Sequence, residues 1–224
     1  DTIYGSYGRD VYTFNLGDGI DTIHETREDQ AYSNIELQPD SIVFGAGINP
    51  EDLVFSRYDE DMVIDHINGT DQLTITNWFK SENELFKIES ISFDGGLSWD
   101  YDTIESKVTY YGSNADDTMF GYRENDDVMR AGDGDDYLDA RSGDDTLFGE
   151  AGNDQLDGGG GTNFLSGGAG NDKYVYRAGA GTYEIDNSDG GDDWLLFTDA
   201  ITSDRLAFHK SGDDLIVRVD GDEN

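Results

Sequence analysis

The stretch Gly167–Val175, which reads GGAGNDKYV, is one of seven consecutive units that repeat between residues 112 and 175. The first step between units is ten residues and the other five steps are nine. One aspartate or, once, an asparagine anchors each unit: Asp117, Asp127, Asp136, Asp145, Asp154, Asn163 and Asp172. Two positions after each anchor stands a large apolar residue: Met119, Met129, Leu138, Leu147, Leu156, Leu165 and Tyr174. An internal repeat of this length predicts a stacked repeat architecture.

Each unit has the composition of a tight turn followed by a short strand. Four of its first six positions favour glycine or aspartate, which tolerate positive φ angles. Its last three positions read polar, apolar, polar, so a three-residue strand would point one side chain inward. Two units would form one coil with a turn on either side, and the coils would stack. A disordered acidic linker would share this composition, but disorder does not require an apolar residue in a fixed phase.

Stacked turns would bring the anchor carboxylates of neighbouring coils together with several backbone carbonyls. Such an all-oxygen cage suits Ca²⁺, which binds about 6–8 oxygens. One buried apolar side chain gives little stabilisation for a whole ordered unit, and the acidic turns repel one another. We therefore expect the repeat to be unfolded without a cation, because calcium ligation would supply the missing folding free energy.

The whole chain is strongly acidic. Its 224 residues include 50 acidic and 14 basic side chains, which give a net charge of −36. This charge excludes nucleic acid and anionic membranes as electrostatic partners and indicates cations instead. There is no cysteine, and no apolar run is long enough to suggest membrane insertion. The chain begins at Asp1 without a methionine or a signal peptide, so we expect a piece of a longer protein.

The repeat, G-G-x-G-x-D-x-U-x with U apolar, resembles the calcium-binding nonapeptide of the RTX (haemolysin-type) family. Residues Gly69–Phe79, Phe93–Gly95 and Trp99–Asp100 also resemble the haemolysin-type calcium-binding-related segment that accompanies such repeats. The resemblance implies an all-β fold whose centre is a parallel β-roll, or calcium-stacked β-helix. It also implies a bacterial protein that is exported unfolded by the type I secretion machinery and folds in extracellular calcium. Neighbouring blocks of the same chain are further expected partners.

Carried over unit by unit, the resemblance assigns the anchors to two flanks of the roll. One flank would carry Asp117, Asp136, Asp154 and Asp172, and the other Asp127, Asp145 and Asn163. Adjacent anchors on each flank would give five inter-coil calcium sites at most. Asp10, in an earlier unit, is a further candidate ligand. Turn glycines would contribute to the sites: Gly132, Gly134, Gly143, Gly152, Gly159, Gly161, Gly168 and Gly170.

Two departures from the consensus rank these sites. Asn163 lacks a charge, so the site that it would share with Asp145 is expected to be weak or empty. Arg123 and Glu124 stand where glycine is expected, which weakens the case for the site between Asp127 and Asp145. The strongest sites are therefore expected at Asp136–Asp154 and Asp154–Asp172.

Four segments are predicted along the chain. They are the end of an upstream roll, a β-rich, sandwich-like capping segment, the β-roll of seven repeats and a truncated second capping segment, at residues 1–14, 15–108, 109–176 and 177–224. A second internal repeat supports this layout, because Asp172–Tyr176 echoes Asp10–Phe14 and Leu195 echoes Ile42. The second copy lacks a counterpart of Gln72–Thr76, so we expect a longer array of roll-plus-cap blocks.

Within the first capping segment, four local elements are predicted. Alternating strands around Asn68-Gly69 predict a hairpin, because Asn-Gly is a strong hairpin signal. The others are a strand at Phe86–Phe93, a capping box at Ser81–Glu84 and a short helix at Tyr101–Val108.

No catalytic constellation is apparent, so we expect that this chain is not an enzyme. The three histidines, His24, His66 and His209, are isolated, and neither a zinc-protease motif nor a G-x-S-x-G elbow occurs. The three tryptophans, Trp78, Trp99 and Trp194, could form a sugar-stacking platform. Core packing is favoured instead, because each lies inside an apolar pattern.

The function expected from these features is a calcium-binding module of a large secreted protein, a toxin or adhesin, outside the cell or at its surface. One alternative is an adhesin or surface-layer segment that binds glycan or neighbouring subunits. Another is an accessory module of a secreted carbohydrate-active enzyme. Exposed aromatic side chains would support a binding role, and buried tryptophans would count against it.

Overall fold

The computed structural model describes residues 1–5, 9–24, 39–79, 88–122, 124–198, 201–211 and 214–219. The chain divides into two compact units, Asp1–Thr109 and Tyr110–Asn224. The described residues are almost entirely β-strand and turn, with one short α-helix. Among them, no helix is long and apolar enough to cross a membrane. The predicted capping box at 81–84 and most of the Glu25–Asp40 loop lie outside the described ranges.

The described part of the first unit forms ten strands and helix α1. The bounds are β1 Thr2–Tyr4, β2 Val11–Phe14, β3 Ile20–His24, β4 Ser41–Phe44, β5 Leu53–Tyr58, β6 Asp61–His66, β7 Gln72–Thr76, β8 Ser90–Phe93, β9 Ser98–Asp100, α1 Tyr101–Glu105 and β10 Val108–Tyr111, which continues into the second unit. Among the described residues, short 3₁₀ turns lie at Pro50–Asp52 and, in the second unit, at Ser203–Arg205.

The second unit contains the predicted roll. Its strands are β11 Thr118–Phe120, β12 Val128–Asp133, β13 Tyr137–Asp139, β14 Thr146–Ala151, β15 Gln155–Asp157, β16 Gly161–Ala169, β17 Lys173–Tyr176, β18 Gly181–Asp186, β19 Trp194–Phe197, β20 Leu206–Ser211 and β21 Asp214–Val219. They alternate between two parallel stacks, β11-β13-β15-β17-β19 and β12-β14-β16-β18, followed by the antiparallel hairpin β20–β21.

The register of the two stacks confirms the β-roll. Leu138 is paired with Leu156 in one stack and Leu147 with Leu165 in the other, eighteen residues apart in both cases. Two nine-residue units therefore complete one coil. All four leucines are fully buried and form the central column of the core between the stacks. Because each strand turns one apolar side chain inward, the phased apolar position of the repeat becomes this column.

The first unit also contains parallel stacks, which extends the roll-like arrangement beyond the nonapeptides. Strands β1-β3-β7 form one parallel stack and β2-β4-β8 the other. Antiparallel strands are added at the sides, β5 and β6 next to β7 and β9 next to β8. The sandwich-like cap is thus built on the same two-stack plan, with the hairpins widening each sheet.

Local elements of the first unit follow their sequence signals with shifted ends. The β6–β7 hairpin is confirmed, but Asp65 pairs with Gln72, so its loop is longer than Asn-Gly alone. Asn68 explains the wider loop, because its Oδ1 accepts from the backbone N–H groups of Thr70 and Asp71 at 3.0 and 3.1 Å. The strand predicted from Phe86 begins at Ser90 among the described residues.

Helix α1 is shorter than the predicted Tyr101–Val108. Asp100 caps its N-terminus by accepting from the backbone N–H of Thr103 at 3.0 Å. The helix ends at Glu105 because Val108 already belongs to strand β10. Glu105 is buried and accepts a hydrogen bond from the indole of Trp78 at 2.5 Å, which ties the helix to the core of this unit.

Candidate calcium sites

The anchor residues of the roll form two ladders, one on each flank. On the first flank, the backbone N–H of each anchor donates to Oδ1 of the anchor one coil later. The bonds run Asp117 to Asp136, Asp136 to Asp154 and Asp154 to Asp172, at 2.7, 2.8 and 2.9 Å. On the second flank they run Asp127 to Asp145 and Asp145 to Asn163, both at 2.8 Å. The structure thus brings together the pairs that the sequence assigned to each flank.

A second ladder runs in the opposite direction, one residue before the anchors. Here the side chain accepts from the backbone N–H of the following coil. Asp135 accepts from Asn153, Asn153 from Asn171 and, on the other flank, Asp126 from Asp144, at 2.8, 3.0 and 2.7 Å. Each turn is therefore bonded to the coils on both sides, which fixes how far apart the stacked turns lie.

The second carboxylate oxygen distinguishes two kinds of anchor. In Asp117 and Asp127, Oδ2 accepts from a backbone N–H of its own turn, Ser113 at 2.6 Å and Tyr122 at 2.8 Å. In four other anchors, Oδ2 is buried and has no hydrogen-bond partner: Asp136, Asp145, Asp154 and Asp172. A buried carboxylate oxygen without a partner is costly. These four oxygens are therefore the atoms that a cation would satisfy.

The pKa values of these four carboxylates also favour a bound cation. Burial, together with repulsion from neighbouring aspartates, raises the pKa of Asp145 and that of Asp154 to about 7. Burial also raises the pKa of Asp136 and Asp172. In the calcium-free fold, burial and repulsion thus oppose ionisation of these carboxylates, which are ionised in neutral solution when the chain is unfolded. A divalent cation offsets both the burial and the repulsion.

Backbone carbonyls converge on the same oxygens. A Cβ placed on Gly149 would lie 2.3 Å from Oδ2 of Asp154 and 2.5 Å from the carbonyl oxygen of Gly167, so both oxygens border one small space. Gly121 borders Oδ2 of Asp127 and the carbonyl of Ala140 in the same way. This cradle fits a calcium ion, because Ca²⁺ takes carboxylate and carbonyl oxygens in flexible geometry.

The cages do not consist of side chains alone. Within the parts of the chain that the structure describes, no group of three or more histidine, cysteine, aspartate or glutamate side chains is placed to hold a metal ion. A site between two coils would therefore combine a pair of anchors with carbonyl oxygens of the turns. That donor set agrees with the pairwise ladders and with the oxygen preference of calcium.

The glycines proposed as contributors lie where the turns approach most closely. All eight have positive φ angles: Gly132, Gly134, Gly143, Gly152, Gly159, Gly161, Gly168 and Gly170. A Cβ on Gly152 would lie 1.7 Å from the carbonyl oxygen of Gly134. A Cβ on Gly170 would lie equally close, at 1.7 Å, to the carbonyl oxygen of Gly152. The glycines thus allow the carbonyls of one coil to reach the next.

At Asn163 the amide nitrogen Nδ2, a hydrogen-bond donor, stands in place of the open carboxylate oxygen Oδ2 of an aspartate anchor. Its Oδ1 accepts from Asp145 as the aspartates do, but its Nδ2 donates to the carbonyl of Gly158 at 2.9 Å. The amide therefore satisfies a carbonyl of its own turn without an ion. This contact agrees with the expectation that the Asp145–Asn163 site is weak or empty.

The irregular ten-residue unit does not displace its anchor. Arg123 lies outside the described residues, but Asp127 still donates to Asp145 at 2.8 Å. The carbonyl of Asn125 also approaches Gly143 as closely as in the regular units. The longer spacing thus leaves the described contacts of this unit with the next coil in place.

The ladders extend to residues that the nonapeptide period does not reveal. In the second unit, Asp172 donates to Oδ1 of Asp193 at 2.8 Å. In the first unit, Asp10 donates to Oδ1 of Asp40 at 2.7 Å, and Asp40 donates to a carboxylate oxygen of Glu89. Asp10 thus enters the structure as a ladder residue through its backbone N–H. Each added residue stands two positions before a large apolar residue, which is the signal that could have found it.

The histidines and tryptophans occupy dissimilar surroundings. His24 stacks on Tyr4, and the rings of Trp99 and Phe93 pack edge to face. Trp78 is fully buried, as predicted for a core residue. The same prediction is wrong for Trp194, which is 69% exposed. It lies beside Lys173 on the face opposite Leu195 and Tyr174, and β19 is the last described strand of its sheet. The three tryptophans do not share one environment.

The raised carboxylate pKa values predict an unusual pH dependence for the calcium-free protein. In the unfolded chain aspartate has a pKa of about 3.9, whereas that of Asp145 or Asp154 in the fold is about 7. Between these values the folded state binds more protons, so stability rises as the pH falls. We expect the β-structure signal in EDTA, measured by circular dichroism, to increase from pH 7.5, where the calcium-free repeat is unfolded, to pH 5, and to be lost again as the pH rises through 7.

A double variant provides the control. Asp145→Asn with Asp154→Asn removes the two groups whose pKa is about 7 and should make the pH profile measured by circular dichroism shallower. A calcium-free β signal that falls between pH 7.5 and pH 5, or a profile that the double variant leaves unchanged, would contradict the prediction.

Comparison with known families agrees with this geometry. The RTX calcium-binding nonapeptide repeat matches residues 1–23, 111–147, 123–156, 139–174 and 148–183. The haemolysin-type calcium binding protein related domain matches residues 61–103. Such repeats bind calcium and indicate a calcium-binding module of a secreted protein. The chain thus carries RTX calcium-binding nonapeptide repeats and a haemolysin-type calcium binding protein related domain.

Proposed function

We propose that this chain is a calcium-dependent folding and spacer module of a large secreted bacterial protein, a toxin or adhesin. The observation that carries the proposal is the set of four buried anchor oxygens without a hydrogen-bond partner. In a cell, where calcium is scarce, these carboxylates oppose folding and leave the chain extended for export by type I secretion machinery. Outside the cell, calcium folds it.

The required calcium affinity is modest. Extracellular calcium modules have dissociation constants of about 10⁻⁴–10⁻³ M. Several ions between stacked coils would act together, because each coil packs only on its neighbours. Folding would therefore be cooperative in calcium. The module's acidic surface keeps the unfolded chain soluble until the ions bind.

The anchor pairs can be ranked as candidate ion sites by their open oxygens. Two pairs combine two open oxygens each, Asp136–Asp154 and Asp154–Asp172. The Asp172–Asp193 contact adds a candidate beyond the five pairs counted from the repeat. The pair Asp145–Asn163 should contribute least. No catalytic role for the chain forms part of the proposal.

A calcium titration of EDTA-stripped protein, followed by far-UV circular dichroism, tests this function. We expect a cooperative coil-to-β transition, because the empty flanks hold uncompensated charge. Magnesium, which demands octahedral geometry and dehydrates reluctantly, should not produce it. A full β spectrum in EDTA at neutral pH, unchanged by calcium, would reduce the repeat to a static spacer.

A binding role in the parent protein is the second candidate. It is favoured by exposed apolar side chains in the last strands, including Trp194 and Phe208 at 69% and 63% exposure. Trp194 lies on the terminal described strand of a roll sheet and Phe208 on the separate β20–β21 hairpin. The two rings therefore belong to different sheets, which favours contact with protein over glycan stacking.

A further inference from the structure

The outer edge of strand β19 is an apolar surface. Leu195 and Leu196 are 38% and 39% exposed, next to the exposed Trp194. Within the described residues, β19 is the terminal strand of its five-stranded sheet and pairs with β17 on its other side. An edge of this kind presents backbone groups and side chains to an incoming strand.

The first unit contains the same strand pair. There β2 and β4 pair in parallel as β17 and β19 do, with Tyr12 opposite Ile42 as Tyr174 is opposite Leu195. The carboxylate contact is also repeated, because Asp10 donates to Asp40 at 2.7 Å and Asp172 to Asp193 at 2.8 Å. Strand β19 is therefore the structural counterpart of β4.

The two counterparts differ in burial. Ile42 and Phe44 of β4 are 0% and 1% exposed, whereas Leu195 of β19 is more than a third exposed. The difference has an identifiable cause, because β8 adds to β4 in parallel and places Ile91 opposite Ile42. Thus the first unit shows what covers such an edge.

The cover is a compact hairpin. Strands β8 and β9 are antiparallel and joined by a turn at residues 94–97. Phe93 stacks on Phe44 with centroids 5.5 Å apart, and Trp99 packs edge to face on Phe93 at 4.9 Å. Glu89, just before β8, accepts from the backbone N–H of Asp40. Apolar contacts, strand pairing and one carboxylate therefore all fix the hairpin on β4.

We propose that the edge of β19 is a docking site for a β-hairpin of the β8–β9 type. Its first strand adds in parallel to β19 and places alternate apolar side chains on Leu195 and Phe197. An acidic residue just before that strand accepts from the backbone N–H of Asp193. Recognition of this kind takes affinity from backbone hydrogen bonds and specificity from alternate side chains.

The test uses the full chain, saturated with calcium, and a fluorescent synthetic peptide with the sequence of residues 88–100. Fluorescence anisotropy should show saturable binding. Leu195→Asp should weaken it about tenfold or more, because a charge replaces the apolar contact at the centre of the edge. Ile67→Asp, which places the same charge at a more exposed apolar side chain (67% against 38%), is the control and should leave the affinity unchanged.

A second peptide keeps the test decisive if Leu195→Asp does not fold. This peptide has the sequence of residues 88–100 with Ile91→Ser and Phe93→Ser, and it should not bind to the unaltered chain. The proposal is overturned if no saturable binding occurs while circular dichroism shows the calcium-folded state, or if both peptides bind alike. A dimer seen by light scattering and dissociated by Leu195→Asp would assign the edge to a second copy and would also overturn it.

Discussion

Asp154→Ala should raise the calcium concentration at the folding midpoint by about tenfold or more. Asp154 belongs to two anchor pairs, with Asp136 and with Asp172. Its loss removes an open oxygen and also leaves the buried N–H of Asp136 without its acceptor. An orphaned buried donor alone costs about 1–3 kcal/mol, which is roughly 5- to 100-fold in an equilibrium constant. The measurement is the calcium titration by circular dichroism.

Two further variants separate the causes. Asp133→Ala removes an equal charge from an exposed side chain of the roll and should move the midpoint little. Asp154→Asn keeps an oxygen that can accept from Asp136 but loses the charge, so its midpoint should lie between the other two. If Asp154→Ala and Asp133→Ala behave alike, net charge and not ligation controls folding.

The sequence predicts the roll well because its period is local and regular. Nine-residue spacing places every second anchor on one flank, so contacts eighteen residues apart follow directly from the printed order. The apolar position two residues later fixes which side chains enter the core, and Leu138, Leu147, Leu156 and Leu165 are all fully buried there. Both results need only the period and the alternation of a strand.

Ladder residues outside the regular array are harder to predict. Asp40 and Asp193 make the same backbone contact as the anchors, but 30 and 21 residues separate them from their partners Asp10 and Asp172. Inserted loops and strands break the spacing, so only the weak signal of an acid two residues before an apolar position remains. The turn Gly190-Gly191 before Asp193 strengthens that signal.

Two other features depend on contacts that the sequence pattern does not specify. Alternation identifies strands of the first unit, but not that β3 and β7, about fifty residues apart, pair in parallel. Likewise an apolar run cannot distinguish a covered strand from an edge strand. Trp194 was therefore predicted in the core although its neighbour on one side is missing among the described strands.

The state of the anchor oxygens is a third such feature. Asp117 and Asp145 occupy the same place in the consensus, yet Ser113 donates to Oδ2 of Asp117 whereas Oδ2 of Asp145 has no partner. The difference depends on the path of each turn and on the Ser113 hydroxyl, which also donates to Oδ2 of Asp117 at 2.9 Å. Sequence therefore ranks candidate sites by composition, and the fold is needed to rank them by open oxygens.

Gly152→Ala should abolish calcium-induced folding at concentrations that fold the unaltered chain. Gly152 has a φ of +145°, which side chains rarely adopt, and strain of this kind costs about 1–3 kcal/mol. A Cβ there would also lie 1.7 Å from the carbonyl oxygen of Gly134. The coils cannot separate to relieve the clash, because strand pairing holds them about 4.7–4.9 Å apart. Circular dichroism in excess calcium measures the outcome.

Gly190→Ala separates the clash from the strain. Gly190 also has a positive φ, +89°, but a Cβ there would meet no atom within 4 Å. This variant should therefore fold with only a modest increase in the calcium midpoint. If Gly152→Ala folds as readily as Gly190→Ala, the turns can move apart and the close carbonyl approach is not required. If only Gly152→Ala fails, the glycines of the repeat are needed because the stacked turns leave no room for a side chain.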